Sequence, residues 1–291
     1  MQSEEARRGL ELWSGDQGAD LEVVDTRGSP EAAYGDRFGR DLLLLGPYGS
    51  GQVRRVLRVV DGEALLWNHG GSADDLARPW APMVAAPASG YFAPLVDLAV
   101  EIGCGSLTVV QGRGRFAESV AGGAVRYAHR SSLEIQVAPI DSWDPASLSP
   151  ESALLAVGRF EEDVAVIRSA RSRLVGCVAA GIPSFVEAAG LAAEGVLGPV
   201  QWLPTPRQPE VGPSGTRFQE VYRRRYRTTP GYVAAQAAAA GYLAASASFD
   251  DLTDWSPTTM LGRYQVDADG LQIGHGVSVI RWREGRMEPV G

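Results

Sequence analysis

Four consecutive leucines, Leu42 to Leu45, lead directly into the glycine-rich stretch GPYGSGQV. Side chains of a strand point alternately to its two faces, so a run that is apolar at every position fits a strand covered on both sides. Runs of the same kind recur in ALLW (64–67), LTVV (107–110), ALLAV (153–157) and LVGCV (174–178), each followed by a turn containing glycine. Stretches with helical periodicity separate them. The alternation predicts an α/β chain with parallel sheets between layers of helices.

Along the first third, the pattern predicts a helix over ARRGLELW, a strand over LEVVDT, a helix over SPEAAYGDRFGR opened by Ser29-Pro30, a strand over DLLLLG, a helix over SGQVRRVLRVVDG ending at Gly62, and a strand over ALLWNHG. A proline-rich stretch, RPWAPMVAAPASG, then reads as a crossover, after which a second βα array begins. Its predicted elements are YFAPLVDLAVEIG, SLTVVQG, RFAESVAGGAVRYAHR, LEIQVAP, SALLAVG, FEEDVAVIRSARS and RLVGCVAAG. A second proline-rich exit leads to two helices, TRFQEVYRRRYR and YVAAQAAAAGYLAASAS, and to a tail of short strands with turns at Asp267–Gly270 and Glu284-Gly285. Two arrays joined by crossovers predict two Rossmann-like lobes, 1–84 with 203–276 and 85–202 with 277–291, and a small ligand in the cleft between them.

The opening MQSEEARRGLELW reads as an amphipathic helix with Ser3 as its N-cap and Glu4 and Glu5 in the first turn. An α/β lobe ordinarily starts with a strand, so the first strand of the N-terminal lobe is expected to be missing, through truncation or a late start codon. No run of eighteen apolar residues and no signal segment is present in the sequence.

Composition removes several kinds of chemistry. All 27 basic residues are arginine, so no lysine is available for a Schiff base or for the phosphates of a P-loop. The net charge of −8 and the dispersed arginines argue against nucleic acid, and the cluster Arg223-Arg224-Arg225 reads as a solvated helix face. His69, His129 and His275 lack metal-ligand spacing, and no metal or cofactor is expected. Cys104 and Cys177 have no CxxC spacing and read as buried thiols, with a single disulfide as the alternative.

The candidate site lies in the turns. Gly49-Ser50-Gly51 supplies two glycines of a dinucleotide fingerprint, but Arg54 stands where the third would be. What remains is a helix N-terminus with unpaired N–H groups and the Ser50 hydroxyl, suited to a carboxylate. WNHGGSADDL repeats the arrangement one unit later, with Gly70 and Gly71 permitting close backbone approach and Ser72 at the next predicted helix start. Either turn also fits a plain βα connection. In the second lobe, Arg113, Arg115 and Phe116 follow one strand, and Arg159 and Phe160 follow another. A guanidinium and an aromatic wall fit an acidic or aromatic small molecule; a solvated arginine and a packing phenylalanine fit as well, and for Arg115 that plainer reading is favoured. No GxSxG, HExxH or Ser/His/acid arrangement points to catalysis, and His69 is read as structural.

The series LLLLGPYGSGQV, LLWNHGGSADDL, SLTVVQGRGRFAESVAGGAV, ALLAVGRFEEDVAVIRSAR, AAGLAAEGVLGPVQWLP, FQEVYRRRYRTTPGYVAAQAAAAGYLA and VDADGLQIGHGVSVIRWREGR resembles, in content and order, the type I periplasmic binding proteins of the branched-chain amino-acid and amide branch. The resemblance implies a non-enzymatic solute-binding protein of an ABC transporter, exported or lipid-anchored, with a membrane permease as partner and hinge closure as its signal. It implies that Tyr48, Gly49 and Ser50 with Gly70, Gly71 and Ser72 hold the ligand carboxylate, that Phe116 closes over it, and that Arg159 faces the cleft; Arg113 stays a candidate from its own position after the strand. The acid that usually receives the ligand's ammonium would fall near Val178 or Ala179, and neither can do so. A carboxylate with an apolar or aromatic body is therefore expected. The same fold serving as a sensor domain, or an α/β enzyme using the glycine turns for a nucleotide or acyl group, are the alternatives.

Overall fold

The computed structural model of the chain describes residues 2–25, 33–34, 42–131, 133–247 and 252–290. The chain divides into two compact units, Met1–Pro87 with Gln201–Gly276 and Ala88–Val200 with Val277–Gly291.

The first unit is held by helix packing. Helix α1 (Gln2–Gln17) lies along a second helix, Tyr232–Ser246, and that second helix is buried on every side from Val233 to Ala244. A helix that is apolar all round needs neighbours all round, and its alanines allow them to come close. The approach of α1 is close enough that a Cβ on Gly9 would land on the Ala234 carbonyl and one on Gly241 would enter the Trp13 ring. Helix α1 also accepts hydrogen bonds from two tyrosines: Tyr242 Oη, on the same neighbouring helix, donates to Asp16 at 2.7 Å, and Tyr226 Oη, from the helix Gly215–Tyr226, donates to Glu11 at 2.7 Å. Beneath lie Trp67, Trp202, Phe218, Tyr222, Leu243 and Tyr264 in one apolar core.

Two short parallel strands run under these helices, β1 (Leu44–Leu45) and β2 (Leu66–Trp67), with Leu44 opposite Leu66. Helix α2 (Ser50–Val60) connects them, burying Val53, Val56, Leu57 and Val60 and ending at Asp61 in the left-handed region. The strand expected over LEVVDT is not formed among the described residues. Leu21–Asp25 carry no strand assignment and Val23 is 58% exposed, whereas a strand inside a covered sheet would bury it. Leu42 and Leu43 are likewise 48% exposed, so only the second half of the leucine run enters the ladder. Most of the helix expected over residues 29–40 lies outside the described residues; Ala33 and Tyr34 are helical. Ser3 is inside α1 and does not cap it, since the helix already includes Gln2.

The second unit is built on one seven-stranded sheet. Its strands are β3 (Ser106–Gln111), β4 (Glu134–Pro139), β5 (Ala153–Val157), β6 (Leu174–Cys177), β7 (Leu197–Val200), β10 (Ser278–Arg283) and β11 (Arg286–Val290), in the order β11-β10-β7-β6-β5-β3-β4. The pairs from β4 through β7 are parallel, and β10 and β11 close the far edge antiparallel. Every residue of β5, the central parallel strand, is buried, as its unbroken apolar run requires, while edge strand β4 is largely exposed. Helices α3 (Ala93–Glu101), α4 (Arg115–Ala128) and α5 (Phe160–Ser169) cover it, joined by Phe92, Leu95, Leu107, Val109, Val120 and Leu155 in one core. The β10–β11 hairpin turns at Glu284 and Gly285, both at positive φ (48° and 72°), the backbone a two-residue hairpin loop needs.

Strand β7 was not anticipated, because LGPV contains a proline. Pro199 is tolerated because β7 shares only the Gly176–Leu197 rung with β6, and Pro199 faces Val279 on β10 beyond it. Cys104 and Cys177 are free, buried thiols. Arg223, Arg224 and Arg225 are exposed on their helix, Gly215–Tyr226.

The α1 contact makes a direct test. Gly9→Ala or Gly241→Ala should destabilise the protein by about 1–3 kcal/mol through overpacking. Gly15→Ala, on the exposed side of the same helix, should stabilise by about 0.5 kcal/mol. Urea unfolding of the three variants measures the contrast.

Candidate functional site

In the first unit the turns after β1 and β2 are bonded to one another. Beyond the strand ends the ladder continues as a parallel bridge between Tyr48 and Gly70, and the Gly49 N–H donates to the Gly70 carbonyl at 2.8 Å. This pairing leaves no space for a side chain: a Cβ on Gly70 would sit 2.5 Å from both the Pro47 carbonyl oxygen and Tyr48 Cα. Gly49 then opens α2 at φ 97°, ψ 130°, a backbone conformation that is essentially glycine's alone. No side chain caps this helix, and the N–H groups of Ser50 and Gly51 have no acceptor among the described residues. Ser50 Oγ accepts from the Ala73 N–H at 3.2 Å, tying the second turn to the first.

Asn68 holds the second turn from below. Its amide donates to the Gly71 carbonyl at 2.9 Å and accepts from the Gly71 N–H at 2.8 Å, while the residue is fully buried. Ser72 is buried too, but no α-helix follows it. A three-residue 3-10 turn, Asp74–Leu76, takes that place with Ala73 at its cap, because Pro79 forces the preceding chain out of helical geometry. Ser72 is therefore not a helix N-cap. His69, beside these glycines, is 2% exposed, its Nδ1 without a hydrogen-bond partner, and burial pushes its pKa down to about 4. A neutral, enclosed imidazole is a packing group.

One aromatic contributor carried no local sequence signal. Tyr232 opens the helix against which α1 packs, and its hydroxyl lies 3.1 Å from that of Tyr48. The two residues are separated by 184 positions, so only the fold joins them.

The second unit collects its candidates at the carboxyl ends of β3, β5 and β6. Gly114 caps α4 without a side-chain bond, and Phe116, in the first turn, sets its ring edge-on to Tyr91 with centroids 5.6 Å apart. Phe116 is partly buried against the core of the unit, which orients its ring. Arg113 is 85% exposed and already paired with Asp141 at 2.9 Å, beside a cavity of about 310 Å³ lined by Gly112, Gly114 and Ile140. Arg115 is exposed on its helix, 3.7 Å from Glu118. Arg159 caps α5, is exposed, and its guanidinium has no ion pair among the described residues. Its N–H donates at 2.7 Å to Glu162, three residues on, a capping-box spacing legible in GRFEED but passed over. Asp163 lies behind it, buried and bonded to the Ala179 N–H at 2.9 Å.

No family model matches the chain, and no curated protein matches it in sequence. Solved structures do. A leucine-binding protein from Thermotoga maritima superposes with a TM-score of 0.78 at 16% identity, over 100% of this chain and 93% of that one. A leucine-, isoleucine-, valine-, threonine- and alanine-binding protein from Brucella ovis, in its closed conformation, gives 0.78 at 14% identity over 99% and 90%. An ABC-transporter solute-binding protein from R. palustris, solved with benzoate, gives 0.70 at 16% identity over 99% and 91%. The chain has the type I periplasmic binding protein fold. No helix among the described residues is long and apolar enough to cross a membrane.

The buried imidazole makes a pH-dependent contribution of known sign. Its pKa is about 4 in the folded protein against an ordinary 6.5, so the unfolded chain takes up the proton first as pH falls. Stability is present in full above pH 6.5 and is lost as pH drops from there to about 4. His69→Gln should remove on the order of 3 kcal/mol of that acid-side slope, read from chemical unfolding at pH 7 and pH 4.5.

Proposed function

We propose that the protein is a solute-binding protein that captures a small carboxylate and works with a membrane permease of an ABC transporter. The turns around Ser50 and Gly70 in the first unit take the carboxylate; Phe116, Arg113 and Arg159 are the second unit's own candidates for ligand contact. The observation that carries this reading is the bonded pair of turns. Two glycine-rich connections, joined by Gly49–Gly70 and Ala73–Ser50 bonds, present the uncapped N–H groups of Ser50 and Gly51 at the positive end of α2. An enzyme would need a reacting group there, and the histidine beside the turn is sealed and neutral.

The ligand body is apolar or aromatic. Tyr48 and Tyr232 stand beside the turns of the first unit, Phe116 stands at the start of α4 in the second, and the acid that the family resemblance would put near Val178 or Ala179 to receive an ammonium is missing. The benzoate-bound R. palustris protein and the leucine-binding proteins share the fold and span both ligand types.

A thermal-shift panel of benzoate, phenylacetate, 4-methylpentanoate, leucine and valine decides between them. An aromatic or aliphatic acid at a hundredfold its Kd should add about 2.7 kcal/mol of stability. Ser50→Ala should weaken that ligand about tenfold while costing the free protein about 1 kcal/mol or less. Stabilisation by leucine or valine alone would overturn the ligand class, and no stabilisation by any of the five, or chemical turnover of one, would overturn the binding-protein reading.

A further inference from the structure

Asp163 is an aspartate with 1% exposure and no cation facing it among the described residues. Placed in the first turn of α5, it would ordinarily point to solvent and favour the helix dipole from outside. It turns inward instead. One carboxyl oxygen accepts from the Ala179 N–H at 2.9 Å. The other oxygen, Oδ1, is buried without a partner. It lies 3.5 Å from the place a Cβ on Gly158 would occupy, and Glu162 Oε2 lies 2.6 Å from the same place, so the two acids converge over one glycine.

The segment that Asp163 holds is itself tightly seated. After β6 the chain makes a 3-10 turn, Val178–Gly181, whose Ala180 carbonyl accepts from Trp282 Nε1 at 2.8 Å. Gly198 permits the contact from below, since a Cβ there would sit 2.6 Å from the Ala180 carbonyl carbon. The turn thus has one bond to β10 through Trp282 and one to α5 through Asp163. Among the described residues no other side chain hydrogen-bonds it to α5 or to the loop before it.

We propose that Asp163 is a positioning residue: a clamp that fixes the 178–181 turn to the start of α5, so that the connections after β5 and β6 in the second unit are set by a single buried carboxyl. Its assignment as part of a ligand site rests on the function proposed above; the clamp itself rests on geometry in one unit. The titratable groups facing it are Glu162 from its own helix and Cys177 from β6, while Val178, Ala179, Ala180 and Gly181 contribute none. Burial, with Glu162 adding a like charge, pushes the Asp163 carboxyl up to about 8. Burial also raises the Cys177 thiol well above its ordinary 9, so the thiol stays neutral while the acid titrates. Because the unfolded chain ionises near 3.8 and the folded one near 8, the clamp opposes stability increasingly as pH rises through that window.

Trp282 provides a readout that does not involve any ligand. In the full-length protein labelled with 15N, the Trp282 indole N–H resonance should shift with a midpoint near pH 8 and should be flat over the same range in Asp163→Asn, which keeps the shape and one acceptor. The melting temperature of Asp163→Asn should exceed that of the native protein by a margin that grows between about pH 4 and about pH 8. Asp163→Ala should raise the exchange rate of the Ala179 amide at least tenfold, and Asp163→Asn should restore protection. A Trp282 resonance that does not titrate in the native protein, or that titrates equally in Asp163→Asn, overturns the clamp even if Asp163→Ala fails to fold. Loss of benzoate or leucine binding in Ser50→Ala bears on the ligand reading and leaves this outcome unaffected.

Discussion

The close approach of two backbones at Gly70 is the constraint on which the first unit's candidate site depends. Parallel strands bring the connections that follow them to one edge, but they do not by themselves bond those connections together. At Gly70 the chain comes so near Pro47 and Tyr48 that any side chain would have to displace backbone, and backbone cannot yield as a flexible side chain does. The Gly49–Gly70 hydrogen bond, the orientation of Ser50 toward Ala73 and the start of α2 at Gly49 follow from that contact. The same principle acts in the second unit, where Gly158 admits two carboxyl groups and Gly198 admits the 178–181 turn.

The two units solve the problem of burying polar groups differently. In the first, Asn68 spends both ends of its amide on one turn and leaves nothing unsatisfied, while His69 accepts a neutral state and an unpartnered nitrogen. In the second, Asp163 turns its carboxyl inward and accepts from the Ala179 N–H. Asn68 and Asp163 are buried and hold these turns by hydrogen bonds to their backbone, while His69 only packs beside them. Rigid support of this kind matters for any ligand site, since orientation gained in the free protein is not lost on binding.

Much of the architecture was legible from the pattern of apolar runs. Unbroken runs marked β3, β5 and β6 of the seven-stranded sheet. The failures have local causes. LEVVDT has the composition of a strand, yet a strand also needs a neighbour in register, which composition cannot supply. LGPV was passed over because proline cannot donate to a ladder, and its place beyond the β6 rung is a matter of register alone. After HGGS the chain makes only the 3-10 turn Asp74–Leu76, with Ala77 already extended ahead of Arg78-Pro79.

The sequence by itself determined the α/β class, the lysine-free chemistry and the two glycine turns, because periodicity, composition and missing side chains are properties of short stretches. Only the tertiary structure decided that Tyr232 stands beside Tyr48, that Arg113 is already paired with Asp141, and that Asp163 turns inward to hold Ala179. Each of these joins residues distant along the chain, and a contact of that kind exists only after helices and strands have packed and fixed which groups lose their water.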